Sequence, residues 1–123
     1  MGQVLIGGLA LVLVASAAAV AQGVQIDHQP VACAVAGRFP RLAARFSPAD
    51  AVAVARVFFQ GNTGEWYSVA MKAEGADFAG VLPKPKKDLK AFRYYIEVTD
   101  KSLATARTAE FTTNVIASAG ECR

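Results

Sequence analysis

Hydrophobic and polar residues alternate with a period of two along much of this chain. In the segment 51–60, the charged side chain of Arg56 marks one parity as outward, so the other parity, which contains Phe59, faces inward. Successive side chains of a β-strand point to opposite faces of its sheet. The pattern therefore predicts a strand with one buried face.

A second alternating segment follows after a short turn. Gly61-Asn62-Thr63-Gly64 is a typical turn sequence, and residues 66–72 alternate again, with Tyr67 and Met71 on the inward parity. The two segments together predict a β-hairpin.

The same reading extended along the chain predicts seven short strands. They are 32–35, 42–46, 51–60, 66–72, 78–82, 92–99 and 104–113. Residues 48–57 also suit a short helix, because Ser47 is a good N-cap and Pro48 suits the first helical position. The β-branched and aromatic residues there favour the strand. Seven strands within about 100 residues, without crossover helices, predict an all-β sandwich.

The start of the chain differs from the rest. Its first 23 residues carry no charged side chain, and the apolar run 4–21 ends in Ala19-Val20-Ala21, the pattern of a signal-peptidase site. A run of this length also just spans a bilayer, so an uncleaved anchor is the alternative. We predict an apolar signal helix at 1–21, a linker at 22–30 and the folded domain at 31–123. Both alternatives place that domain outside the cytoplasm, either periplasmic or secreted.

The two cysteines, Cys33 and Cys122, lie near the two ends of the predicted domain. Export makes oxidation available, and an even count without a CxxC spacing argues against zinc and against a redox dithiol. We therefore predict a Cys33–Cys122 disulfide, with two buried free thiols as the alternative. Closing a loop of about 90 residues removes unfolded-state entropy equivalent to about 4 kcal/mol.

Four segments carry a resemblance to a known class of domain. They are 52–59, 66–71, 78–83 and 94–100, the last of which reads Tyr-Tyr-Ile-Glu-x-x-Asp. Over about residues 30–115, the chain resembles the immunoglobulin-like and fibronectin type III-like domains of bacterial exported proteins. The resemblance implies a seven-stranded, antiparallel immunoglobulin-like sandwich that acts as a spacer, an adhesion module or a protein-binding domain. The cysteines do not occupy the inter-sheet positions of antibody domains.

The polar residues form no recognised catalytic or metal-binding motif. The single histidine, His28, lies beside Asp27 in the predicted linker, and no motif places a nucleophile for it. Glu74 and Asp77 flank a turn, but a calcium-loop series is missing. The net charge of +3 is too small to favour nucleic acid. We expect no enzymatic activity, no cofactor, no metal and no nucleic-acid partner.

Four lysines fall between residues 84 and 90. One interpretation is contact with an anion such as a phospholipid, lipopolysaccharide or acidic glycan. The other is a solvated loop whose charges discourage edge pairing. The second is favoured, because aromatic residues do not interleave the lysines. Membrane contact is expected only through an uncleaved N-terminal segment.

Three aromatic residues share the outward parity on strands expected to lie in one sheet: Phe58, Trp66 and Tyr95. The charged residues expected around them are Arg56, Arg93, Lys72 and Glu97. Such a patch suits a protein partner or the apolar face of a sugar, and the alternative is cross-strand pairing that only stabilises the sheet. We expect a non-catalytic module that binds an envelope or extracellular protein. A carbohydrate-binding module and, more weakly, a small extracytoplasmic hydrolase are the alternatives.

Overall fold

The computed structural model describes residues 23–122, which form ten β-strands and two single turns of 3₁₀ helix, Ala49–Ala51 and Ala119–Glu121. The strands are β1 (Gln25–Asp27), β2 (Cys33–Val35), β3 (Arg41–Ser47), β4 (Val52–Gln60), β5 (Trp66–Ala70), β6 (Lys72–Glu74), β7 (Asp77–Val81), β8 (Ala91–Asp100), β9 (Thr105–Arg107) and β10 (Phe111–Ile116). The predicted signal helix lies outside the described residues. No helix within 23–122 is long and apolar enough to cross a membrane.

The strands form two sheets. The smaller sheet has the order β1-β3-β7-β6 and is antiparallel throughout. The larger sheet has the order β2-β10-β8-β4-β5, and β9 also pairs with β8. This arrangement is compatible with an immunoglobulin-like sandwich. The all-β sandwich prediction is confirmed, but β2 pairs with β10 in parallel, which corrects the prediction of purely antiparallel sheets.

Residues 23–122 contain ten strands instead of the seven predicted. The predicted strand 66–72 divides at Met71, where the chain leaves β5 in the larger sheet and enters β6 in the smaller one. Met71 is buried, and its N–H donates to the Ala55 carbonyl over 2.8 Å. The alternation continues through this crossing, so the hydropathy pattern does not reveal it. The predicted strand 104–113 divides into β9 and β10.

The additional strand β1 lies within the segment assigned to the linker. Its Ile26 pairs with Phe46 of β3 and packs against the core. Three residues are too few for a period of two to be visible, which explains why the pattern missed this strand. The alternative helix at 48–57 is reduced to the turn Ala49–Ala51, after which β4 begins.

The core lies between the two sheets. Its most deeply buried side chains are Leu42, Phe46, Val57, Tyr94, Ile96, Val98 and Thr113. The inward parity predicted for β4 and β8 is therefore correct at their centres. Gly80 of β7 allows the close approach of the sheets, because an added Cβ would lie 3.0 Å from a Val57 methyl group.

His28 does not belong to a solvated linker. Its Nδ1 lies 2.7 Å from the Ala43 carbonyl oxygen, and its Nε2 lies 2.7 Å from the hydroxyl of buried Tyr94. Since a carbonyl only accepts, Nδ1 donates its hydrogen and Nε2 accepts one from Tyr94. The Tyr94 oxygen also accepts the Val31 N–H over 3.0 Å. Burial raises the pKa of the Tyr94 hydroxyl, which keeps its donor hydrogen in place.

The Cys33–Cys122 disulfide is present, and its Cα atoms are 5.8 Å apart. The prediction of this bridge is confirmed. It joins β2 to the end of the described chain across 89 residues of sequence. Disulfides are typical of proteins that fold in an oxidising compartment.

Candidate functional site

The outer face of the larger sheet brings the three predicted aromatic residues together. Phe58 of β4 lies directly opposite Tyr95 of β8, and their rings stack with centroids 5.0 Å apart and planes 11° apart. Trp66 of β5 meets Tyr95 edge-on at 5.2 Å. These contacts join three neighbouring strands. Phe58, Trp66 and Tyr95 are called the aromatic patch below.

Exposure differs within the aromatic patch. Trp66 is 38% exposed, whereas Phe58 and Tyr95 are half-buried by their mutual stacking. The reason is position, because β5 is the last strand on its side of the sheet and Phe58 and Tyr95 lie on central strands. A partner approaching this face therefore meets Trp66 first.

Arginine side chains surround the aromatic patch. The guanidinium carbon of Arg107 lies 4.3 Å from the Tyr95 ring centroid, and that of Arg93 lies 5.9 Å from the Trp66 ring centroid. Arg93 also forms an ion pair with Glu110. Arg56 donates to the Ser68 hydroxyl over 3.3 Å. Cation–π contacts of this kind orient both the ring and the guanidinium.

Two neighbours of the patch differ from the prediction. Lys72 was expected beside the aromatic residues, but it lies in β6 opposite Ala79, in the other sheet, because the chain crosses between sheets at Met71. Arg107 was not expected there and arrives through the pairing of β9 with β8, where it faces Glu97. Glu97 also lies opposite Arg56 of β4, as expected. The pairing of strands decides that Arg107 lies beside the patch and Lys72 does not, and this pairing joins residues that are far apart in the sequence.

The Tyr95 ring is enclosed on both sides. Phe58 reaches it from β4 and Arg107 from β9, and these strands flank β8 on opposite sides. The ring is therefore held in place by its neighbours, and its faces are largely occupied. Trp66 is the most exposed member of the patch.

A separate concave site lies at one end of the sandwich, between the β4–β5 turn and the lysine-rich connection to β8. It has a volume of about 460 Å³. Its apolar lining includes Phe59, Tyr67, Leu82, Leu89 and Phe92, and its charged lining is Lys84, Lys86 and Asp88. We call it the end groove.

The end groove is open on the side of Tyr67, because this side chain is only partly covered. The alternation assigns it inward, and it does contact Phe59, with ring centroids 5.9 Å apart, yet it is 51% exposed. Its strand lies at the sheet edge, and the smaller sheet does not cover it there. A hydrogen bond and the negative charge of Glu65 raise the pKa of the Tyr67 hydroxyl.

A larger concavity, of about 690 Å³, lies between β1 and the segment from Asp100 to Thr108. Its lining combines small residues such as Ala104 and Ala106 with the polar residues Gln25, Asp100 and Arg107. Across residues 23–122, no cluster of three or more His, Cys, Asp or Glu side chains has the geometry of a metal site. Both ring nitrogens of His28 are engaged by protein groups.

Neither the comparison with protein-family models nor the comparison with curated proteins gives a match for this chain.

Proposed function

We propose that this protein is an exported, non-catalytic immunoglobulin-like module that binds an envelope or extracellular protein through the aromatic patch. The observation that carries the proposal is the pre-assembled cluster of Phe58, Trp66 and Tyr95, framed by arginines, on an exposed sheet face. Tryptophan, tyrosine and arginine are the residues that most often dominate the binding energy of protein interfaces.

The geometry supports binding over simple sheet stabilisation. A cross-strand pair such as Phe58 and Tyr95 stabilises a sheet by itself. Trp66, however, belongs to an edge strand and keeps 38% of its surface in water. Because Tyr95 and Arg93 hold the indole, little side-chain entropy would be lost on binding, which favours affinity.

The same geometry favours a protein partner over a sugar. Carbohydrate recognition would use an open aromatic face, and the faces of Tyr95 are occupied by Phe58 and Arg107. Charge adds a further preference: Arg56, Arg93 and Arg107 outnumber Glu97 and Glu110 on this face. The partner surface is therefore expected to combine an apolar pocket for Trp66 with acidic side chains.

Export is part of the proposal. The apolar run 4–21 with its Ala-Val-Ala ending and the Cys33–Cys122 disulfide both support a location outside the cytoplasm. The resemblance to bacterial exported domains supports the same location and suggests an adhesion or protein-binding role.

Trp66→Ala tests the proposal, with Tyr67→Ala as the matched control on the opposite face of the same strand. The immobilised domain is used to capture partners from an envelope extract, and the affinity of each captured protein is then measured directly. Trp66→Ala is expected to weaken binding by about 2 kcal/mol or more, close to 30-fold, while melting near the parent temperature. Tyr67→Ala should bind normally.

Two outcomes would contradict the proposal. If Trp66→Ala and Tyr95→Ala fold normally and retain every partner, the aromatic patch is ordinary sheet surface. If a glycan array shows binding that Trp66→Ala abolishes and no protein is captured, the carbohydrate-binding alternative replaces the protein-binding one.

A further inference from the structure

The end groove is independent of the aromatic patch. Trp66 and Tyr67 are adjacent in β5 but point to opposite faces, so one belongs to the patch and the other lines the groove. A volume of about 460 Å³ is within the range of small-molecule sites. Two of the residues that line it, Leu82 and Phe92, are buried. Apolar surface of this kind is best covered by an apolar ligand group.

The rim of the end groove is positively charged. Lys84 and Lys86 line it, and Asp88 is the acidic residue among its lining. The charged side chains that line the groove therefore sum to +1, and Lys87 and Lys90 add positive charge along the same connection. Within the described residues no carboxylate lies within ion-pair distance of these lysines, and the Lys84 ammonium lies over the Phe39 ring, 4.9 Å from its centroid. An anionic ligand group would therefore meet the Lys86 ammonium, which has no carboxylate partner there, and Lys84 would reach the same group by leaving the exposed Phe39 ring.

The backbone of this connection is held in place. The Pro85 carbonyl accepts the Gly37 N–H over 3.0 Å, and the Lys90 carbonyl accepts the Val115 N–H over 2.9 Å. Between them, Leu89 N–H donates to the Lys86 carbonyl over 3.1 Å, which closes a turn. The bases of the lysine side chains are thus positioned before any ligand arrives, and the entropy lost on binding is reduced.

We propose that the end groove binds a free amphipathic organic anion, whose apolar body lies between Tyr67 and Leu89 and whose acidic group lies at Lys84 and Lys86. The apolar lining excludes a small hydrophilic anion as the main ligand, because such an ion would leave the apolar side chains of the groove in water. The lysine rim disfavours an amphipathic cation, because like charges would be brought together. The groove therefore favours a molecule that combines an apolar body with an acidic group.

Dodecanoate is a suitable probe, with dodecanol as the uncharged analogue of the same chain length. Titration below the micellar concentration is followed by calorimetry and by the amide chemical shifts of Gly61 and Asn62, which line the groove. Saturable binding is expected for dodecanoate and much weaker binding for dodecanol. The double variant Lys84→Gln/Lys86→Gln should weaken dodecanoate binding by about fivefold or more.

Matched variants separate this site from its surroundings. Lys87→Gln removes a lysine that does not line the groove and should change affinity by less than about twofold. Tyr67→Ala should weaken binding, and Trp66→Ala should not. Equal binding of dodecanol, no saturable binding, or an unchanged affinity in the double lysine variant would overturn the proposal. Binding to anionic vesicles without binding to free dodecanoate would also overturn it, because it would indicate a surface contact.

Discussion

Tyr94→Phe removes one oxygen atom from the centre of the sandwich and leaves the aromatic ring in place. The side chain is fully buried, and its hydroxyl accepts the Val31 N–H at 3.0 Å and donates to His28 Nε2 at 2.7 Å. Because the ring remains, no large cavity forms. The expected loss of stability therefore comes from two polar groups that are left without their partner.

The size of that loss follows from the burial of each group. An unsatisfied buried donor or acceptor costs about 1–3 kcal/mol. His28 and Val31 are both half-buried and keep some access to water, so each contribution lies at the low end, and contributions from one network are not simply additive. We expect Tyr94→Phe to lower the free energy of unfolding by about 1–2 kcal/mol, which is a measurable share of the 5–15 kcal/mol of a typical domain.

Urea unfolding of the oxidised protein, followed by far-UV circular dichroism, measures this change. Tyr95→Phe is the matched control, because it removes the same atom one residue later, and its hydroxyl makes no hydrogen bond within residues 23–122. The control should change stability by less than about 0.5 kcal/mol. A double-mutant cycle with His28→Ala should give a coupling energy of about 0.5–3 kcal/mol. If Tyr94→Phe is no more destabilising than Tyr95→Phe, the network does not stabilise the fold and the reasoning is refuted.

Three further predictions concern stability. Cys33→Ala/Cys122→Ala should lower the free energy of unfolding by about 4 kcal/mol, and urea midpoints that match the parent would show that the disulfide is dispensable. Gly80→Ala should cost about 1–3 kcal/mol in the same assay because its Cβ would crowd a core methyl group, whereas Gly120→Ala, where the added Cβ meets no atom within 4 Å, should change little. Hydrogen bonds from the turn that follows Asp100 lower the pKa of its carboxyl group, and the Ser102 hydroxyl makes the largest contribution to this shift. The stabilisation that the carboxylate provides is therefore complete above the unfolded-state pKa of about 3.9 and is lost as the pH falls. Asp100→Ala should therefore unfold at a lower urea concentration than the parent at pH 7, and the two midpoints should converge near pH 2. A difference in midpoint that does not depend on pH would contradict this assignment.

Alternation along the chain was sufficient to predict the faces of the long strands. In β4 and β8, one charged residue per strand is enough to assign a parity, and the structure buries Val57, Ile96 and Val98 as that parity requires. The reason is geometric, since side chains of a strand alternate regardless of what lies beside it. The cysteine count and spacing similarly led to the Cys33–Cys122 bridge, because only two cysteines were present to pair.

Strand neighbours were decided by the tertiary structure. The crossing at Met71 moves Lys72 to the other sheet, and the pairing of β9 with β8 brings Arg107 onto Tyr95. Neither event changes the alternation, because a period of two continues when a strand exchanges one partner for another. The sequence therefore indicated an outward aromatic patch but not the full set of arginines around it.

The contacts of His28 were likewise decided by the tertiary structure and not by the local sequence. In the sequence it is a lone histidine in a short polar segment, and no local pattern distinguishes it from a solvated residue. Its hydrogen-bond partners, Ala43 and Tyr94, lie 15 and 66 residues away. Local patterns determine which side of a strand faces the core, whereas the partner of a polar group depends on contacts between distant parts of the chain, which exist only once the two sheets have packed.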